Sequence, residues 1–459
     1  MTASAAVRQD ARTVLGEASR AMGAENLKSI QYSGTSSDFS FGQAYNPSSG
    51  WPEFRNKSYT RTIDYQIPAV RTERVPEPVD PKRRGGGLPP AQTQTIAINA
   101  NTSWAQQLEI WKTPHGFLKA AAANNAVVKP ETIGGRKVDV VSFTGQNKAI
   151  VRGYFNDQHL IERVETVIDN TVSGDTPLEI RYSDYKDFGG VKFPMKIVER
   201  QGGYPTLDFT VTDVKPNFAA NIQPPQAAAG PPAQPPAATS QKLGDGVYLI
   251  LPGYAALAVE FKDHIVVIEG PQSEARSQAI IAEAKRVIPN KPVRYVVNTH
   301  IHFDHSGGMR AFVAEGATIL THQANKGYFE KVLATPHTLT PDKQQTARKK
   351  IKVETIADKK VLTDGNRVVE LHRLQGSLHQ EGLIVAYLPK EKILVEADAF
   401  NPPAQANAPV ATPVNPATLT LVENIDRLKL DVEAIVPVHY PADGRKVAKA
   451  ELMRAAGRN

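Results

Sequence analysis

Between Asn217 and Ser240 the chain reads NFAANIQPPQAAAGPPAQPPAATS. The prolines remove backbone donors and fix φ, and the alanines and glycine around them form no periodic apolar face. This stretch has no helix or strand to contribute to a core, so it is expected to be a semi-extended linker. It falls near the middle of 459 residues, a length that already exceeds one ordinary core. The expected division is residues 1–216, a Pro/Ala-rich linker over 217–240, and residues 241–459.

The two halves follow different patterns. Residues 8–24 put Ala11, Val14, Leu15, Ala18 and Met22 on one helical face. After Leu27 come short runs that alternate or are β-branched: Ile30–Tyr32, Val138–Phe143, Ala149–Phe155, Leu160–Ile168, Leu178–Tyr182 and Phe209–Val214. Gly, Asn, Asp and Pro separate them, which predicts a mostly antiparallel β unit behind one helix. His115 and His159 stand alone here and read as surface or strand histidines. Beyond the linker, Gly246–Leu251 (GVYLIL), the pair Ala255–Phe261 and His264–Ile268, an amphipathic Ser273–Val287 and the Val-rich Val293–Asn298 begin a strand–helix alternation. That predicts sheets covered by helices, and an α+β chain of two domains overall.

Composition excludes some functions. The absence of cysteine rules out disulfides and thiolate ligands, so a metal site must use His, Asp and Glu. No apolar run is long enough for a transmembrane helix. A net charge of +7 is mild for this length; Lys82–Arg84 and the cluster Arg348, Lys349, Lys350 and Lys352 read as solvated surface, and no nucleic-acid partner is expected.

The chemistry is concentrated at the end of Val293–Asn298, in Thr299-His300-Ile301-His302-Phe303-Asp304-His305-Ser306-Gly307-Gly308. Three of the chain's 11 histidines and an aspartate fall within six residues. His300 and His302 are i and i+2, so on extended backbone both rings point the same way and can share an ion. Asp304 and His305 follow where the chain turns and can face a second ion. Further candidates stand at later strand ends: His379 in Gln375–His379, Asp398 after Lys392–Val395, and His439 after Val436-Pro437-Val438. Strand ends are where loops gather to make sites. His322 and His372 read as supporting or structural, and His337 as a loop residue without a role.

H-x-H-x-D-H, then a His shortly after a glycine, a small residue plus Asp after a strand, and a His after V-P resembles the metallo-β-lactamase superfamily over about residues 241–445. The resemblance implies an αβ/βα sandwich in which His300, His302 and His379 bind one metal, Asp304, His305 and His439 a second, and Asp398 bridges them. Sulfur-free ligands suit zinc, two per chain, with iron or manganese also possible. Such a centre lowers the pKa of bound water to about 7. The implied function is cleavage of an ester, lactone or amide by a metal-bridging hydroxide, with Asp304 holding the hydroxide and accepting its proton. Tyr440, next to His439, is a candidate oxyanion donor. The chain departs from the family at Ile268-Glu269-Gly270-Pro271, where Asp-x-Gly is common, and at Ala397, where Gly usually precedes the bridging Asp. Alternative activities are β-lactamase, iron-dependent oxidoreductase, nuclease and lipid-binding envelope protein.

Asn401–Pro416 contains no ionisable side chain and follows Asp398 closely, so a small neutral or apolar substrate is expected. In the first half, Ile180–Pro194 (IRYSDYKDFGGVKFP) resembles the half-barrel of periplasmic lipoprotein carriers, which implies a concave face suited to a lipid-like ligand. With the linker and the lack of cysteine, this leads to the expectation of a periplasmic or secreted protein whose signal, absent from this sequence, has been removed. The oligomeric state is open.

Overall fold

A computed structural model describes residues 10–79, 84–99, 102–145, 148–222 and 237–458. Lys82, Arg83 and most of the linker (223–236) lie outside the described residues.

The first half opens with α1 (Ala11–Met22), capped by the Asp10 carboxylate on Thr13 N–H and ended by Gly23 in the left-handed region. Eleven strands follow: β1 (Ser29–Phe39), β2 (Glu53–Asp64), β3 (Ala69–Pro78), β4 (Gln92–Ala97), β5 (Val127–Ile133), β6 (Arg136–Thr144), β7 (Ile150–Phe155), β8 (Ile161–Asn170), β9 (Gly174–Asp187), β10 (Lys192–Gln201) and β11 (Tyr204–Pro216). They form one sheet in the order β4-β3-β2-β1-β11-β10-β9-β8-β7-β6-β5, and every neighbouring pair is antiparallel. The sheet was expected; a single helix was not correct. Two more, α2 (Trp104–Trp111) and α3 (Pro114–Ala123), lie between β4 and β5. All three helices pack on one face of the sheet, with Val14, Met22, Leu108 and Phe117 against Ile30, Tyr32, Val151 and Phe209. Gly153 is required here, because a Cβ on it would stand 2.4 Å from the Phe117 ring.

The second half begins at Thr239, two residues inside the expected linker. Seven strands, β12 (Thr239–Gly244), β13 (Val247–Leu251), β14 (Ala256–Glu260), β15 (Ile265–Ile268), β16 (Val293–Val297), β17 (Thr318–His322) and β18 (Val353–Ile356), lie in sequence order in one sheet. Six more, β19 (Lys359–Thr363), β20 (Val368–Arg373), β21 (Ile384–Leu388), β22 (Ile393–Glu396), β23 (Ala434–Pro437) and β24 (Val447–Ala448), form another. The helices are α4 (Glu274–Val287), α5 (Phe303–Ser306), α6 (Met309–Ala314), α7 (Lys326–Leu333), α8 (Lys343–Ala347), α9 (Pro416–Leu428) and α10 (Lys449–Ala455).

Alternation along the strands assigns each side chain to a layer. Val266 and Ile268 join Leu257, Leu371, Ile384 and Val395 between the two sheets. Ile265 and Val267 face the other way, onto Ile280, Phe312 and Phe329 of α4, α6 and α7. On the far side, Leu383, Val385 and Leu394 pack against Leu421, Ile425 and Leu452 of α9 and α10. The result is a helix–sheet–sheet–helix sandwich, as expected. Among the described residues no helix is long and apolar enough to cross a membrane.

The halves meet through the loop joining β1 to β2 and at the start of β9, where Asp175 accepts from Thr338 and Leu339 N–H. Phe41 packs edge-on against Phe303, with ring centroids 5.1 Å apart, and Asn46 donates to Glu381 at 2.9 Å.

Candidate metal centre

The seven side chains proposed from sequence converge. His300, His302 and His379 form one group of donors, Asp304, His305 and His439 another, and Asp398 falls in a third with His300 and His305. Within each group the donor atoms lie within 4.8 Å of one another. One oxygen of Asp398 stands 2.7 Å from His305 Nε2, 3.5 Å from His300 Nε2 and 3.6 Å from His379 Nε2. Its other oxygen is 3.0 Å from His439 Nε2. Asp398 therefore lies between the two histidine sets.

Local backbone explains how scattered residues meet. β16 ends at Val297, and the extended stretch after it delivers His300 and His302 before α5 presents Asp304 and His305. Asn298 Nδ2 donates to His305 O at 3.1 Å and ties the turn to the strand. Gly307 and Gly308 do not need unusual φ. They are needed for close approach, since Cβ atoms there would stand 2.2 Å from Gln272 O and 1.8 Å from Ser277 Oγ. Asp398 itself has φ +61, and the turn is closed by Glu396, whose buried carboxylate accepts from Ala399 and Phe400 N–H. Burial pushes the Glu396 carboxyl up to about 8.

The hydrogen bonds outside the cluster settle which ring nitrogens face inward. Thr299 Oγ1 has one proton and gives it to Glu269 Oε2 at 2.6 Å. Towards His300 Nδ1, 3.1 Å away, it can then only accept. His300 therefore carries its proton on Nδ1 and aims a bare Nε2 at the cluster. His302 Nε2 donates to Ala44 O at 3.0 Å, and its buried Nδ1 has no hydrogen-bond partner in the protein. His305 Nδ1 faces Glu269 Oε2 at 3.3 Å, so its Nε2 faces Asp398. Outer partners that fix the tautomer and leave lone pairs converging are what a metal site requires.

The spacing fits as well. Ligands about 2.0–2.1 Å from a tetrahedral ion stand about 3.3 Å apart. His300 Nε2 and His379 Nε2 are 3.2 Å apart, and His305 Nε2 and His439 Nε2 are 3.3 Å apart. Burial and neighbouring imidazoles push His300 well below the usual histidine range, and burial with His379 does the same for His302. At His305 burial also opposes charging, but the carboxylates of Asp398, Asp304 and Glu269 outweigh it. The donor set thus suits divalent cations.

Several contributors were not visible in the sequence. Gln43, from the first half, donates to Asp304 Oδ1 at 2.8 Å. The Tyr254 hydroxyl donates to Asp304 Oδ2 at 2.9 Å, and its ring lies 4.4 Å from that of His439. Glu269, where the family motif departs, has φ +79 and sits buried beneath Thr299 and His305. Tyr440 is placed differently. The charges acting on its phenol are those of Arg445 and Asp443, whereas those acting on Tyr254 include Asp304, His305 and Asp398. Tyr440 N–H bonds back to Val438 O at 2.9 Å across a turn at His439, and its side chain packs against the core between the sheets. His337 packs beside Gly174 and Asp342. His322 caps the turn after β17, accepting from Ala324 N–H, and His372 lies 2.8 Å from Glu370. The Pro-rich segment 401–416 is fastened by Arg445 and Arg454 to the carbonyls of Pro403 and Ala406.

Comparison with known proteins locates this arrangement. A 57-residue stretch is 33% identical to the linear primary-alkylsulfatase of Pseudomonas sp. (strain ATCC 19151), covering 12% of this chain and only 11% of that protein. Among solved structures, a metallo-β-lactamase from Pontibacter korlensis is 19% identical over 48% of this chain and 97% of its own, with a TM-score of 0.37. A metallo-β-lactamase from Pseudomonas aeruginosa in its mono-zinc form is also 19% identical, over 49% of this chain and 96% of its own, with a TM-score of 0.37. Residues 256–439, which span His300 to His439, match the family model of the metallo-β-lactamase superfamily. The segment that matches the metallo-β-lactamase superfamily thus contains all seven converging side chains.

Proposed function

We propose that the chain is a dinuclear zinc hydrolase acting on an ester, lactone or amide. The observation that supports this best is the tautomer pattern: His300, His302 and His305 each have one ring nitrogen engaged outside the cluster and the other turned towards Asp398 or the other donors. His300, His302 and His379 would hold one ion, Asp304, His305 and His439 the other, with Asp398 between them. When bound, the ions would polarise an acyl oxygen and make water reactive near neutral pH. The chain's own residues supply orientation. Gln43 and Tyr254 fix the Asp304 carboxylate through one oxygen each, so that it can align an attacking water and accept its hydrogen bond. The Tyr254 hydroxyl gives its one proton to Asp304 Oδ2 at 2.9 Å and so acts through that carboxylate.

The test is elemental analysis of protein purified without added metal, together with turnover of a chromogenic ester and a chromogenic cephalosporin. About two zinc per chain with chelator-sensitive ester cleavage supports the proposal. Iron, or bound metal with cleavage of neither probe, overturns it. A second reading, cleavage of a sulfate ester, is favoured by the stretch similar to the alkylsulfatase, and an alkyl sulfate in the same assay decides between them. An exported location belongs to the same proposal. Finding the native gene product in the cytoplasmic fraction would count against it.

A further inference from the structure

A cavity of about 660 Å³ lies between the two halves, within the range that holds small molecules. None of the seven cluster side chains lines it. Ile301 and Phe303 do, and they alternate with His300, His302 and Asp304, so the cavity lies behind the metal-ligand segment. Its walls are mainly aromatic and aliphatic: Phe41, Trp51 and Tyr204 from the first half, and Phe303, Tyr328 and Val332 from the second. Trp51 is held edge-to-face by Phe41 at 4.4 Å and tilted against Tyr204 at 5.1 Å, so this surface is built and ordered.

The charges in the lining are unequal. Asp175 is committed to Thr338 and Leu339 N–H, and Glu381 to Asn46 Nδ2. Lys331, in the last turn of α7, is exposed and has no paired carboxylate among the described residues. We propose that this cavity is a second binding site, separate from the metal centre, for a small amphiphile with an apolar or aromatic body and one anionic end, held at Lys331.

The lining offers a clean way to close it. Gly327 precedes Lys331 by one helical turn, lines the cavity, and a Cβ there meets nothing within 4 Å. Gly327→Leu therefore projects an isobutyl group into open space and also improves helix propensity in α7. Lys331→Met keeps the apolar stem and removes the charge.

The experiment is fluorescence titration of the full metal-loaded chain with 8-anilinonaphthalene-1-sulfonate, then displacement by decanoate, decanol and decyltrimethylammonium below their micellar concentrations. We expect saturable dye binding that survives removal of the metal by chelation. Decanoate should displace the dye about tenfold more tightly than decanol or the cation, a difference of about 1.4 kcal/mol. Gly327→Leu should weaken dye and decanoate about tenfold or more with an unchanged or higher Tm, and Lys331→Met should erase the preference for decanoate over decanol. Dye binding that disappears on chelation would assign the site to the metal centre, and equal affinity in Gly327→Leu would put it elsewhere on the protein. Absence of saturable binding, or no preference for the anion, likewise overturns the proposal. Metal content and ester turnover are read separately, so failure of the hydrolase assignment leaves this result distinguishable.

Discussion

Asp304 is held from both halves of the molecule: Gln43 reaches one oxygen across 261 residues of sequence, and Tyr254 reaches the other. Partners of metal ligands commonly change affinity or activity by about 10–100-fold when removed. Gln43→Ala is therefore expected to weaken binding of a metal ion held by Asp304 by about that range, measured by chelator competition, with Tm nearly unchanged. Unaltered affinity would mean that the contact carries no orientation. The two tyrosines make a paired test. Tyr254→Phe deletes a hydrogen bond to a charged group, about 1.5–3 kcal/mol, and should lower kcat by about tenfold or more. Tyr440→Phe should leave turnover unchanged, and the reverse ranking would return the donor role to Tyr440. Of the seven converging side chains, His300, His302, Asp304 and His305 were legible from their short spacing, and His379, Asp398 and His439 from their strand ends and the family resemblance. Gln43, the Ala44 carbonyl and Tyr254 were not. Their roles come from tertiary proximity, and at Tyr254 from the bridge that pairs it with His439.

At the level of elements, the sandwich was readable from its strand–helix alternation and the family resemblance, and α1 because its apolar face is one-sided. The missed helix α3 shows where periodicity fails. Pro114, His115, Gly116, Phe117, Leu118, Ala120 and Ala121 are all buried, so the helix has almost no polar face to mark a 3.6-residue repeat. Its start was signalled only by Thr113-Pro114, a cap followed by proline at the first helical position. Burial of this helix has a thermodynamic consequence at His115, which was expected on the surface or a strand and is fully buried in a helix. Its Nε2 donates to Met22 O at the end of α1, and its ring is stacked parallel to Phe193. Burial pushes its pKa down from 6.5 to about 4. As pH falls below 6.5 the unfolded chain takes up this proton while the folded chain does not, so stability decreases through that window and levels off near pH 4. Above 6.5 both states are neutral and the residue contributes no slope. The loss amounts to at most about 3 kcal/mol. Denaturant unfolding between pH 7 and 4 should show it, and His115→Gln, which keeps a donor for Met22, should flatten that part of the profile. An identical profile in the variant would place the pH sensitivity elsewhere.

Across the whole molecule, the β1–β2 loop makes the two halves one chemical unit. Sequence reading separated them at the Pro/Ala-rich stretch, and that boundary in the chain is not a boundary in the site. Within a few residues the loop places Phe41 against Phe303, Gln43 on Asp304, the Ala44 carbonyl on His302, and Asn46 on Glu381. Backbone bonds add Phe303 N–H to Gly42 O and Glu381 N–H to Tyr45 O. Two of these contacts orient side chains that would bind metal, so ligation and docking should reinforce each other. A ligand at 1,000 times its Kd stabilises the state it binds by about 4 kcal/mol, and part of that should be felt in the loop, although no proposed ligand lies in the first half. Chelation is therefore expected to lower Tm and, in the same sample, to raise amide hydrogen exchange across residues 42–46. Strands far from the interface, such as β6 and β7, should keep their protection. Re-addition of zinc should restore the loop's exchange rate. If chelation lowers Tm but leaves exchange at 42–46 unchanged, the loop is held by the Phe41–Phe303 packing, the Asn46–Glu381 contact and the backbone bonds of Gly42 and Tyr45. Gln43 and Ala44 would then be neighbours of the metal site without being coupled to it, and the smaller effect would also appear in the affinity of Gln43→Ala.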